Sequence, residues 1–218
     1  KTKEGLVRGC SCRGTAGFAH VSCLAEQAKI LVDEAEYNNL ELQPRWKRWY
    51  ACSLCEQDYH GVVRCALGWA CWKTYVGRPE ADKVRMSAMN ELASCLGAGN
   101  HHEAALSVKE TELSILRRVG VPESNILISQ GNLAATYQSL GRDQEALRMK
   151  RDVYSGWLKL NGREDRETLL AANNYAQSHL NLRRFEEAKA LLRKTMPAVR
   201  RVFGEDHAVT LGMRSIYA

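Results

Sequence analysis

Six residues have the types and spacing for chemistry: Cys10, Cys12, His20, Cys23, Cys52 and Cys55. They run Cys-x-Cys, seven residues, His-x-x-Cys, twenty-eight residues, Cys-x-x-Cys. Thiolate and imidazole are donors that zinc takes readily, and a short pair of cysteines can present two sulfurs from one turn to a tetrahedral ion. Four protein ligands close the shell and leave no position for water, so such a site is structural and none of these thiols is expected to be catalytic. Six ligands make one and a half sites, and two groupings satisfy the spacing. In a sequential one, Cys10, Cys12, His20 and Cys23 hold one ion, and Cys52 and Cys55 draw on His60, Cys65 or Cys71. In an interleaved one, Cys10 and Cys12 pair with Cys52 and Cys55, and His20 and Cys23 need a pair that lies before Lys1.

The rest of the chain has to position these residues. At 218 residues, 45% hydrophobic and 26% charged, it is long enough for two modest domains with a sizeable core. The chain starts on Lys1 without a methionine and stops at Ala218 inside a repeat, so a fragment is expected. Seven of the eight cysteines precede residue 72 and four stand in close pairs, which suits a shared metal better than separate cross-links. A reducing intracellular setting, the cytoplasm, follows from that reading. The net charge of +6 is spread evenly, with 11 Lys and Arg against 9 Asp and Glu in residues 1–80 and 20 against 16 afterwards, so no nucleic-acid partner is expected. The longest apolar run, "GVVRCALGWACW", is too short to span a bilayer and contains Arg64. No phosphate-binding glycine loop, zinc-protease helix or nucleophile elbow is present.

From about residue 80 the chain repeats itself every 42 positions. Asn90, Asn132 and Asn174 coincide, as do Glu103, Glu145 and Glu187, and Ala104, Ala146 and Ala188. Each unit reads as helix, turn, helix. Small residues such as Ala134, Ala146 and Ala176 let two helices approach, and Gly99 and Gly141 suit the turn because glycine accepts a left-handed backbone. One unit cannot bury its apolar stripe but stacked units can, so the period predicts an α-solenoid. Residues 61–80, with Trp69, Trp72 and Tyr75, join the halves without a polar linker and read as a helix docking the front on the first repeat. The expected fold is mainly α: a small zinc-bound finger at 1–62, an aromatic connecting helix at 63–80, and at 81–218 three repeat units with the start of a fourth.

Two resemblances sharpen this. The stretch "CSCRGTAGFAHVSCL", followed by "RWKRWYACSLCEQDYHG", resembles the RING-CH zinc finger without its opening Cys-x-x-Cys. The resemblance implies the interleaved grouping, with Cys10, Cys12, Cys52 and Cys55 on one zinc and His20 and Cys23 on a second. The related PHD finger, which often reads histone tails, shares the ligand order and an aromatic at the place of Tyr50. Residues 84–218, and most clearly the stretch 168–211, resemble tetratricopeptide repeats of the kinesin-light-chain type, with Asn132-Leu133-Ala134 as the family's core motif and Gly204-Glu205-Asp206-His207 as its junction. That resemblance implies a groove lined by first helices, in which Asn90, Asn132 and Asn174 hydrogen-bond a bound peptide backbone.

Together these imply a ubiquitin-protein ligase without a covalent intermediate on this chain. Its finger would recruit a ubiquitin-conjugating enzyme through Leu24, Trp46, Trp49 and Leu54, and its repeats would select the substrate. The alternative is a non-catalytic adaptor with a structural zinc, and a PHD-type histone reader is the third reading.

Overall fold

The computed structural model describes residues 4–217, and every regular element of more than a bridge is helical among them. The chain divides into two compact units, Lys1–Glu112 and Leu113–Ala218. The first contains α1 (Val21–Tyr37), α2 (Gln43–Trp46), a 3-10 turn (Lys47–Trp49), α3 (Gly61–Tyr75) and α4 (Lys83–Ala98). α5 (His102–Val119) runs across the division. The second contains α6 (Glu123–Ser139), α7 (Asp143–Asn161), α8 (Arg166–Asn181), α9 (Phe185–Phe203) and α10 (Ala208–Tyr217).

In the first unit α3 is shared by two cores. Its first half gives Val63 and Leu67 to a cluster with Cys10, Cys52 and Tyr59. Its second half gives Cys71 and Tyr75 to a cluster with Ala28 and Val32 of α1, Val84 and Ala88 of α4, and Trp46 and Trp49. Trp49 stands edge-on to Tyr75 at 5.9 Å, and Trp46 lies 5.9 Å from the same ring. α1 can join because Ala28, Val32 and Ala35 recur at the spacing that lines one side of a helix. α4 starts where the Asp82 carboxylate accepts from the Arg85 N–H at 2.9 Å, a side-chain cap that satisfies one of the helix's free donors. α3 and α4 approach so closely that a Cβ on Gly68 would fall 2.2 Å from Cys95 Sγ.

One ion pair is sealed into that contact. Arg64 of α3 binds Glu91 of α4, with side chains only 12% and 8% exposed. The repeat pattern puts Glu91 where the next unit has Leu133, so an acid occupies a core position, and Arg64 is the group that compensates it. Burial pushes the Glu91 carboxyl up, and Arg64 opposes that. A raised acid pKa means that the folded state holds the proton better than the unfolded chain. The charged form is therefore a cost that grows as pH rises from the unfolded value through the folded one. Arg64→Ala is expected to lower stability by about 3–5 kcal/mol at neutral pH, because it strands a buried carboxylate. That loss shrinks on acidification as Glu91 protonates, and urea melts at two pH values check it.

The second unit has its own core. Leu169 and Ala176 of α8, Leu192 and Val199 of α9, and Met213 of α10 are buried together. Each helix packs on the next, α6 on α7, α7 on α8, α8 on α9 and α9 on α10. In α9 the buried positions Ala188, Leu192, Thr195 and Val199 fall at the spacing of one helix face. Asp165 caps α8, accepting from the N–H groups of Glu167 and Thr168 at 2.9 and 3.2 Å.

The turns follow the 42-residue period with one displacement. Gly141 adopts the expected left-handed backbone at φ 71°, and Arg183, one period later, takes it at φ 56° despite its side chain. One period earlier the expectation for Gly99 fails. Gly99 has φ −85°, and Asn100 takes the left-handed place at φ 61°. Asparagine tolerates that conformation better than most residues. The turn is thereby one residue later, and Ala105 is the buried alanine of α5 while Ala104 is exposed.

Candidate functional site

Four of the six spaced ligands meet. The sulfurs of Cys10, Cys12, Cys52 and Cys55 all lie within 4.8 Å of one another, and Cys12 Sγ is 3.8 Å from Cys52 Sγ. Two bridges assemble them. Val7 and Ala19 exchange N–H···O bonds of 2.9 and 3.0 Å around the loop that carries Cys10 and Cys12. Ala51 and Asp58 bracket the other knuckle, inside which the Cys52 N–H donates to the Gln57 carbonyl and the Glu56 N–H to the Cys52 carbonyl. The two loops are tied by the His60 N–H, which donates to the Gly9 carbonyl at 2.7 Å, and by Tyr59, buried against Cys10 and Cys52.

The geometry suits a tetrahedral thiolate ion. Zinc–sulfur bonds of about 2.3 Å set the sulfurs of a tetrahedron about 3.8 Å apart, the separation of Cys12 and Cys52. Leu54 N–H points at Cys52 Sγ from 3.4 Å, a contact that favours a thiolate there. Burial alone would raise the Cys52 thiol, but the backbone N–H groups of Cys55 and Leu54 and the thiols of Cys10 and Cys12 outweigh it and bring it down to about 7. Burial pushes Cys10 up and Cys12 up to about 12, each next to other thiols. The Cys52 proton thus leaves readily while those of Cys10 and Cys12 are held, and metal uptake, which needs thiolates, is a proton-releasing event opposed by acid.

Sequence reasoning overlooked Gly17. Its φ of 78° is left-handed, and a Cβ there would sit 2.7 Å from Cys12 Cβ and 2.9 Å from Cys10 Sγ. The backbone at Gly17 therefore closes over the sulfurs, and the signal for it was a second glycine in the loop "RGTAGFAH".

His20 and Cys23 stand apart from the quartet. They face each other at the start of α1, with Cys23 Sγ 3.8 Å from His20 Nδ1 and Cys23 exposed. His60 is exposed at the start of α3. Cys71 is fully buried, while Cys65 sits against the Cys95 carbonyl at 3.4 Å.

The four side chains expected to meet a conjugating enzyme do not form one surface. Leu54, at the tip of the second knuckle, is 69% exposed, and Leu24 is half-buried against the cysteine cluster. Trp46 and Trp49 are 6% and 0% exposed. They are core residues, because α1, α3 and α4 close over them, and neither offers a face to a partner. Glu56, just after Cys55, is held by Lys47 and Arg48 at 2.9 and 2.8 Å, which keep its carboxyl down at about 2.

On the repeats, Asn90, Asn132 and Asn174 are each exposed on the first helix of their helix pair. Two places further along α6 and α8, Ala134 and Ala176 are fully buried. Successive units thus present the same polar side chain outward and the same small one inward. No helix among the described residues is long and apolar enough to cross a membrane.

Comparison with known proteins bears on the repeats. The family model for the tetratricopeptide repeat matches residues 126–167 and 168–208. No curated protein matches the sequence. Among solved structures, the nearly identical TPR-like repeats of a protein assigned as a Podosopora anserina kinesin light chain are 20% identical, with a TM-score of 0.58 over 91% of this chain and 85% of that one. BtubC (BKLC) from P. vanneervenii is 12% identical, with a TM-score of 0.61 over 90% and 81%. The chain is thus a mainly helical protein with the fold of a tetratricopeptide solenoid, and its residues 126–208 match the tetratricopeptide-repeat model twice in succession.

Proposed function

We propose that the chain is a protein-interaction adaptor, whose repeats hold an extended peptide of a partner and whose front is stapled by one zinc ion on Cys10, Cys12, Cys52 and Cys55. The observation that carries the first part is the outward placement of Asn132 and Asn174 at the same position of successive first helices. An asparagine amide offers both a donor and an acceptor, the pair that an extended peptide backbone needs. The tetratricopeptide match supports a protein as the ligand. Selection of a displayed peptide library on the whole chain tests it. Enriched peptides are expected to lose roughly tenfold in affinity, about 1.4 kcal/mol, when Asn132 and Asn174 are both changed to alanine. Equal binding by that variant would contradict the reading.

The zinc part rests on the sulfur spacing and on the enclosing backbone of Gly17. Four thiolates would complete the shell, so the ion's role is to hold two loops that have little apolar core of their own. His20 and Cys23 are not ligands of this ion.

Recruitment of a ubiquitin-conjugating enzyme is the second reading. It is favoured by Leu54, an exposed apolar residue between two candidate ligands, together with the RING-CH resemblance. It requires faster discharge of ubiquitin from a charged conjugating enzyme, with the gain abolished by Leu54→Ala. Unchanged discharge leaves the adaptor.

A further inference from the structure

The second unit contains a cavity of about 510 Å³ on a different side from the exposed asparagines. It is walled by the end of α7, the loop into α8, the first turn of α8 and the second half of α9. Thr168 lines it, and Asn174 lies six residues beyond Thr168, about 120° round the helix. The cavity therefore belongs neither to that asparagine face nor to the cysteine cluster.

Its chemistry is one-sided. Arg163, Lys194 and Arg201 line it, against the single carboxylate of Glu164. Glu164 is paired with Arg201, which leaves Arg163 and Lys194 without an ion pair among the described residues. Asp165, the next acid along, is committed to capping α8. Leu158 and Pro197 supply an apolar wall beside these cations. Thr168 is 1% exposed, yet its Oγ1 has no hydrogen-bond partner. A buried hydroxyl without a partner is uncommon, since it forgoes the hydrogen bond that would offset its burial. A solvated basic face would have neither an enclosing apolar wall nor an orphaned hydroxyl.

We propose that this cavity binds an oxyanion carried on an apolar arm, as a phosphorylated or acidic side chain of a partner protein would present it. Arg163 and Lys194 supply the charge, Arg201 is released from Glu164 to share in it, and the apolar wall receives the arm. Charge-assisted hydrogen bonds from a guanidinium or ammonium to such an anion are among the stronger polar contacts in proteins.

The test is an NMR titration of the whole chain with two small probes, phenyl phosphate and 3-phenylpropionate, at low and high salt. Saturable shifts at the amides of Thr168 and Thr195 are expected, weakened by salt. They should fall roughly tenfold in affinity in the Arg163→Glu/Lys194→Glu variant. Both residues are exposed, so that variant should melt with the parent. Thr168→Val, which keeps the side-chain volume, is expected to weaken binding without loss of stability, and Asn174→Ala should leave it unchanged. Preference for phenyl phosphate assigns the site to a phosphorylated side chain, and preference for the carboxylate assigns it to an acidic one. Shifts that stay linear throughout, or that persist in the charge-reversed variant, would overturn the proposal.

Discussion

On the proposed zinc reading, a strong chelator is expected to unfold the two knuckle loops while the second unit stays folded. Structural zinc in small finger peptides contributes about 10–16 kcal/mol of apparent binding free energy at neutral pH, against about 5–15 kcal/mol for the whole stability of a typical domain. The two knuckle loops are joined by few backbone bonds among the described residues, and the buried cluster they share is built on Cys10, Cys52 and Tyr59 with Val63 and Leu67. Without the ion, four thiols crowd one place, and those raised by burial re-protonate. Hydrogen exchange should rise sharply over the knuckle loops, residues 5–19 and 51–60, on chelation, and little over 126–208, where Leu169, Leu192 and Val199 belong to a core built without these cysteines. The sign with pH follows from proton competition: the chelator should succeed at lower concentration as pH falls. Exchange unaltered by chelation would show that the quartet is a cluster of buried thiols and nothing more.

The second large effect is expected at Trp49. Truncation to alanine should cost about 3–5 kcal/mol, the range for a large aromatic removed from a closed core. Trp49 is fully buried between α1, α3 and α4 and meets Trp46 and Tyr75. Leu54→Ala, at the exposed tip of the second knuckle, should change stability by no more than about 0.5 kcal/mol. Urea melts of the two variants separate a tryptophan that holds the first unit together from one that waits for a partner. A Trp49→Ala protein as stable as its parent would contradict its placement in the core.

What the sequence made legible depends on the range of the contacts that matter. The repeats could be read because their constraints are local and recur: Ala134 and Ala176 bury at the same place, and Gly141 turns the chain as its type suggests. Arg183 shows the limit, since the same left-handed turn is made there by a residue that announces nothing. Asn100 and Glu91 show another. The first unit keeps the period in sequence but shifts its turn by one residue and fills a core position with an acid, and only Arg64, from a helix outside the repeat, makes that tolerable. At the front, ligand types and spacing marked the metal-like residues but left two groupings open. The contacts that bring four of them together join residues about fifty positions apart, such as Gly9 with His60. Trp46 and Trp49 were misread for the same reason. Aromatics beside a cysteine knuckle look like a contact surface until Val32, Tyr75 and Val84 arrive from elsewhere to cover them. The cavity behind α8 had no sequence signature, because Arg163, Thr168, Lys194 and Arg201 follow no motif and meet only when α7, α8 and α9 pack.

Zinc per chain, determined by elemental analysis on the parent, Cys52→Ser and His20→Ala, tests the central claim most directly. The arrangement of Cys10, Cys12, Cys52 and Cys55 predicts about one zinc that disappears with Cys52→Ser and survives His20→Ala. Zinc that survives Cys52→Ser but is lost with His20→Ala would place the ion on the sequential set instead, and the four-cysteine staple would be wrong.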